Sequence, residues 1–210
     1  MKNIVLYAPP AAGKGTQCEM LKADYGYEVI SIGQVLRNQR SNDTEIGRKI
    51  IETQDKGILT PDDIVIAALK NELSKYAGKH IVIEGFPRNI DQAKLLDTIF
   101  DNYQVIILDI PRQIAMKRTL GRVNCDKCGK IYNIYFEESK PKVDGICDIC
   151  GSALTSRSDD NENSFNQRFD VYEENAPKIT KYYQNKGVLN IVDSSLDKSE
   201  VSNSIKNIIE

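Results

Sequence analysis

Four short apolar runs, separated by stretches of helical pattern along 210 residues, restrict the fold more than any other feature of this chain. They are NIVLY at 3–7, HIVIEGF at 80–86, QVIILDIP at 104–111 and GVLNIVD at 187–193. Each is of strand length and lacks the polar alternation of a half-exposed strand, so each reads as a strand covered on both faces. Helical patterns such as PDDIVIAALKNELSKY (61–76) and RNIDQAKLLDTIF (88–100) lie between them. Strands alternating with helices predict an α/β fold with a parallel sheet between helical layers. In such sheets ligands bind beyond the carboxyl ends of the strands, so the turn after the first run, Glu84-Gly85 and Asp109 are expected to border one cleft.

The turn after the first run, YAPPAAGKGTQ (7–17), is close to a phosphate-binding loop, whose backbone N–H groups wrap polyphosphate. Gly13, Lys14, Gly15 and Thr16 are in place, but Ala8 stands where the first glycine belongs. A Cβ there costs about 1 kcal/mol or more only if the backbone has positive φ. Lys14 supplies a point charge for donor phosphates, and the N-terminus of the helix that follows completes the cradle. In that helix Cys18 and Leu21 share a face, and Cys18 is expected to pack inward. His80, the only histidine, leads into a buried strand and reads as structural.

Two stretches interrupt the alternation. Residues 31–60 are polar and helical, with Gly57 stopping the run and Pro61 opening the next helix, which reads as a small helical insertion. Residues 122–159 are rich in Cys, Asp and Gly around KIYNIYF, which suits a small β-rich flap. Within it CDKC (125–128) and CDIC (147–150) place Cys125, Cys128, Cys147 and Cys150 at the spacing of a structural zinc site. Four thiolates close a tetrahedral shell and leave no open position, so the metal is expected to be structural; iron would accept the same cage. About 38 residues cannot bury a self-sufficient core, whereas zinc in finger peptides contributes roughly 10–16 kcal/mol of apparent binding energy. The polar SRSDDNENS (156–164) that follows reads as a hinge or as a solvated helix start.

The apolar run in MKNIVLYAP is too short for a secretory leader, and no stretch approaches the roughly 20 apolar residues of a membrane span. A cytoplasmic protein without membrane partners is expected, and a formal net charge of −2 argues against general attraction to nucleic acid.

GKGTQ at 13–17, GFPR at 85–88 followed by Gln92, RTLGR at 118–122, RSDDN at 157–161 and NQRFDVY at 166–172 occur in one order along the chain. Together they resemble the adenylate kinases, in the bacterial long form with a zinc-bearing lid, from about residue 3 to 193. The resemblance implies a phosphate-loop core (1–30, 61–121 and 160–210), an acceptor-binding insertion (31–60) and a lid (122–159). It implies reversible, Mg²⁺-dependent phosphoryl transfer from ATP to AMP giving two ADP, by a monomer serving adenine-nucleotide balance. Ala11, Ala12, Gly13, Lys14, Gly15 and Thr16 would hold ATP, with Arg118, Arg122, Ile131 and Tyr132. Ile32, Arg37, Ile58, Leu59, Thr60, Gly85, Phe86, Pro87, Arg88 and Gln92 would hold AMP, Gln92 reading the adenine edge. Lys14, Arg88, Arg122, Arg157 and Arg168 would be catalytic, Arg157 and Arg168 also reaching the acceptor. Thr16 and Glu84 would stand on the magnesium side, holding Mg²⁺ mostly through water and phosphate oxygens. Arginines suit such a site because phosphoryl transfer asks mainly for charge stabilisation and exclusion of water.

Several residues depart from the family pattern. Ala8 and Ala11 replace glycines, yet Gly13 and Gly15 remain, so the loop is expected to be re-tuned and not broken. Ile32 and Gln34 stand where a threonine and an acid are usual, Glu84 replaces Asp, and Asn89 is reminiscent of uridylate–cytidylate kinases. Two alternatives therefore stand beside AMP phosphorylation: a monophosphate kinase with a shifted acceptor (CMP or UMP), and a nucleotide-binding sensor with weakened catalysis.

Overall fold

The computed structural model describes residues 1–40, 44–55 and 58–210. Among the described residues the strands are β1 (Asn3–Tyr7), β2 (Glu28–Ser31), β3 (Ile81–Glu84), β4 (Tyr103–Asp109), β5 (Arg122–Asn124), β6 (Ile131–Asn133) and β7 (Leu189–Asp193). The helices are α1 (Lys14–Tyr25), α2 (Ile32–Arg40), α3 (Glu45–Asp55), α4 (Asp62–Leu73), α5 (Ile90–Leu96), α6 (Arg112–Leu120), α7 (Glu162–Asn185) and α8 (Lys198–Ile209). Gly57, read from the sequence as a helix stop, lies outside the described residues.

The central sheet is wholly parallel in the order β2-β3-β1-β4-β7, with Val5 opposite Ile83 on one side and Val105 on the other. The period of two divides each strand between two cores. Val5, Ile83, Val105 and Ile107 face one core with Leu36, Leu69, Leu96 and Tyr183. Ile4, Leu6, Val82, Ile106 and Leu108 face the other with Cys18, Leu21, Phe165 and Ile205. The continuous apolar runs thus follow from burial on both faces, and Cys18 packs inward as expected.

Two strands differ from the sequence reading. β2, at the sheet edge, passes directly into α2 with no turn residue between Ser31 and Ile32, so its four residues carry no separate signal. β7 forms the opposite edge, and Ile191 is 60% exposed, so this run is not covered on both faces. The 156–164 stretch is a helix start: Asn161 Oδ1 accepts from Ser164 N at 2.9 Å and caps α7.

The flap is built on antiparallel β5 and β6, tied to Thr155 by paired backbone bonds with Asn124, each 2.8 Å. Its interior is small: Cys125, Tyr132 and Cys147, packed by Val123, Cys150 and Leu154. The flap leaves α6 at Gly121, where a Cβ would overlap Asn133 Oδ1 and the Tyr135 ring. Only glycine allows β6 to fold back so closely, with Ile134 N on Gly121 O at 2.8 Å and Asn133 Nδ2 on Arg118 O at 2.8 Å.

Candidate active site

The loop between β1 and α1 explains its own alanines. Ala8 has no positive φ, whereas Ala11 sits in the left-handed region at φ 56° and Gly13 follows at φ 85°. The missing glycine at position 8 is therefore free of backbone strain, and the one at position 11 leaves an alanine where a Cβ is disfavoured. Ala12 is buried against the second core. Gly15 and Thr16 are exposed in the first turn of α1, their N–H groups at the positive end of the helix.

Lys14 opens α1 and folds back over the loop, donating from Nζ to Pro9 O at 2.7 Å and Ala8 O at 3.1 Å. Burial pulls its pKa down to about 8, and Arg88 and Arg168 push the same way, against the opposing pull of Glu84. Glu84 ends β3 and accepts from Ser31 Oγ at the end of β2, so adjacent strands deliver a carboxylate beside the loop.

Five of the six expected arginines converge on that point. Desolvation by the surrounding protein lowers the pKa of Arg37, though it reaches solvent, and of half-buried Arg157. Glu84 and Asp159 oppose the shift of Arg37 while Arg168 and Arg122 add to it, and Arg122 and Arg37 add to that of Arg157. Arg88 reaches solvent at the cleft, but the surrounding protein lowers its pKa, and Arg168 and Arg37 lower it further. Two carboxylates next to each other in sequence orient the remaining pair. Arg122 forks onto Asp160, with Nε on Oδ2 at 2.7 Å and Nη2 on Oδ1, and Arg168 Nη1 meets Asp159 Oδ2 at 2.8 Å. Sequence reasoning passed over both aspartates, although they stand inside RSDDN directly after Arg157. Arg118 stands apart, donating to Ser194 O at 2.8 Å and Leu196 O at 3.4 Å, with its guanidinium 6.0 Å from the Phe136 ring.

Gln34 receives Arg37 Nη2 at 2.8 Å and Nε at 3.3 Å, so the amide at this position aims an arginine without neutralising it. Ile32, Phe86 and Thr60 are buried, Leu59 is half-buried and Ile58 is exposed; Thr60 Oγ1 lies 3.3 Å from Thr53 Oγ1. Gly85 has φ 79° and Pro87 is buried, bringing Arg88 Nε back to Gly85 O at 3.1 Å. Gln92 is 3% exposed, and its amide is held by Asp62 at 2.7 Å and by Arg88 N at 2.8 Å. Asn89 is the cap of α5, its Oδ1 accepting from Gln92 N at 2.8 Å.

The four flap cysteines bring their sulfurs within 4.8 Å of one another, with Cys125 and Cys150 at 3.3 Å and Cys128 and Cys147 at 3.5 Å. A tetrahedral zinc cage with bonds of about 2.3 Å has edges of about 3.8 Å, so the cluster can hold a metal with little adjustment. Tyr132 is buried beneath it, its hydroxyl 3.5 Å from Cys147 Sγ, and that hydrogen bond leads in bringing the Cys147 thiol down to about 6. Ile131, its neighbour on β6, is 45% exposed, so of this pair Ile131 faces solvent and Tyr132 faces the thiols.

Comparison with known proteins agrees with this geometry. A family model described as adenylate kinase matches residues 6–188. Proteins named adenylate kinase from Clostridium acetobutylicum and Clostridium tetani are 37% and 36% identical, each alignment spanning 99% of this chain and 98% of the relative. The one from Kosmotoga olearia is 38% identical over 97% of this chain and 96% of its own. No helix among the described residues is long and apolar enough to cross a membrane. With phosphate loop, arginine cluster and thiol-bearing flap in one order along matched sequence, the chain belongs to the adenylate kinase family.

Proposed function

We propose that this chain transfers the γ-phosphoryl group of ATP to AMP, reversibly and with Mg²⁺ carried on the nucleotide, giving two ADP and serving adenine-nucleotide balance. The observation that carries the reading is the convergence of Lys14, Arg37, Arg88, Arg122, Arg157 and Arg168 on one cleft in a member of this family. In this reading the protein acts as a monomer in the cytoplasm, the site drawing its six cations from one chain.

In this reading residues 1–30, 61–121 and 160–210 form the core, 31–60 brings the acceptor and 122–159 closes over the donor. Incoming polyphosphate takes Lys14 Nζ from the Ala8 and Pro9 carbonyls, replacing two neutral partners by an anion. Arg122 and Arg168, already oriented by Asp160 and Asp159, stabilise charge on the moving phosphoryl without reorganising during transfer. Arg37 and Arg88 hold the acceptor phosphate, whose oxygen is already an anionic nucleophile, so no general base is needed. The closed lid excludes water, which would otherwise hydrolyse ATP. The hydroxyl of Thr16 and the carboxylate of Glu84 are hard oxygen donors of the kind that would hold Mg²⁺, which would offset phosphate charge. Zinc in the thiol cage would hold the lid's shape in place of a core.

Ile32 and Asn89 motivated the shifted-acceptor reading, and Asn89 is engaged as a helix cap. The test is nucleoside diphosphate formation from ATP and Mg²⁺ with AMP, CMP, UMP and GMP in turn. Robust turnover confined to AMP supports the proposal; preference for a pyrimidine, or no turnover with any acceptor, refutes it.

A further inference from the structure

A glutamine side chain can read either of two base edges, because a half-turn of its amide exchanges acceptor and donor. Adenine offers an amino donor beside the ring acceptor N1, whereas a 6-oxo purine offers a carbonyl acceptor beside an N1–H donor. A freely turning amide would serve both. The amide of Gln92 is not free to turn. Its Oε1 receives Arg88 N, a backbone group that can only donate, at 2.8 Å. Its Nε2 gives to Asp62 Oδ1, a carboxylate oxygen acting as acceptor, at 2.7 Å. Asp62 is itself fixed, because Asn89 Nδ2 donates to both of its oxygens at 3.1 Å. Asn89 closes the ring through its Oδ1 on Gln92 N. A half-turn of the amide would set N–H against N–H and oxygen against carboxylate in a side chain that is 3% exposed, where lost hydrogen bonds are not replaced by water. One lone pair of Oε1 and one hydrogen of Nε2 remain, in a fixed sense.

We propose that Asp62, acting with the Arg88 amide, is a positioning residue that fixes the sense of the Gln92 amide and thereby restricts acceptors to bases with an amino donor beside a ring-nitrogen acceptor. This rests on the reading of Gln92 as the residue that meets the acceptor base. Arg88 then contributes twice, its side chain to the acceptor phosphate and its backbone to the base reader. The pattern admits adenine and, by edge chemistry alone, cytosine; it rejects hypoxanthine, guanine and uracil.

The experiment compares kcat/KM for AMP and for IMP, which differ in this edge. The unmodified protein is expected to prefer AMP by about a hundredfold or more, as sites built to bond a polar edge do. Asp62→Ala should lower that ratio about tenfold or more, through KM for the acceptor, the effect of losing a hydrogen bond to a charged group. Asp62→Asn keeps an acceptor oxygen toward Gln92 and should hold the ratio within about threefold of the unmodified protein. KM for ATP should not move in either variant. An AMP:IMP ratio unchanged in Asp62→Ala, or lowered equally in Asp62→Asn, overturns the lock. Absence of AMP phosphorylation by the unmodified protein instead overturns the functional reading beneath it. Should Asp62→Ala fail to fold, Asn89→Ala removes the two bonds that hold Asp62 and must shift the ratio in the same direction.

Discussion

Ala11→Gly should stabilise the nucleotide-free protein, and Ala8→Gly should destabilise it, although both restore a glycine to the same loop. Ala11 lies at φ 56°, where an L-residue with a Cβ pays about 1–2 kcal/mol relative to the right-handed region. Glycine removes that strain but adds unfolded-state entropy of roughly 0.5–1 kcal/mol. The net gain at position 11 is about 0.5–1 kcal/mol. Ala8 has no positive φ, so glycine there brings only the entropic loss. For a chain of this size about 1 kcal/mol moves Tm by roughly 2–4 °C, so the two variants should separate by about 2–8 °C with opposite signs. Thermal melts by circular dichroism without nucleotide measure the difference. A fall in Tm for both variants would show that Ala11 bears no strain and refute the reasoning.

The pKa of Lys14, lowered from 10.5 to about 8, means that the unfolded chain binds more protons between those values, so stability of the empty protein should rise with pH across that window. Lys14→Met should abolish transfer, raise Tm at pH 7 and remove that part of the pH slope; an unchanged slope in paired melts refutes the assignment. Cys128→Ser should release zinc, read by metal analysis of the purified protein, and loosen the lid in hydrogen exchange; full metal content would refute a four-thiolate cage. Asp97 ionises more easily than usual: burial opposes it, but hydrogen bonds from Lys186, Tyr103 and Tyr182 prevail. A depressed carboxylate adds stability above the ordinary carboxylate range that is lost as pH falls through its lower folded value. Asp97→Asn should therefore lower Tm at pH 7 and flatten the acid limb, and an unchanged acid limb would count against the network.

The sheet was legible because its central strands are buried on both faces, a condition that writes itself into sequence as unbroken apolar runs at 3–7 and 104–111. β2 escaped because a strand of four residues that passes straight into a helix leaves no turn chemistry to mark it. The site was legible as a set of cations but not as a set of pairs. Arg122 and Asp160 lie 38 residues apart, with the whole flap between them, and only the folded lid makes them neighbours. The same limit hid the orientation of Tyr132, expected beside ATP, because its turn toward the thiols depends on the knuckles closing over it. Asp62 and Gln92, 30 residues apart, meet only because α4 and α5 approach each other at the cleft.

In the proposed reading, where residues 122–159 close over the donor, the arrangement of charge bears on what drives closure. Asp159 and Asp160 are bound to Arg168 and Arg122, and none of Lys14, Arg37, Arg88 and Arg157 forms an ion pair among the described residues. Beyond burial, Arg122 lowers the proton affinity of Arg37 and Arg37 lowers that of Arg157, against the opposing pull of Glu84 and Asp159 on Arg37, so drawing these guanidinium groups closer adds like charge. Closure of the empty protein would then be opposed by the same groups to which the proposal gives the chemistry. A polyphosphate would reverse the sign of that work, because a phosphate between two arginines can accept charge-assisted hydrogen bonds from both. In that reading the ligand's differential affinity for a closed state would come from these arginines themselves. Weakening any one of these arginines should accordingly reduce transfer and closure together, whereas an independent latch would let the two be separated by mutation.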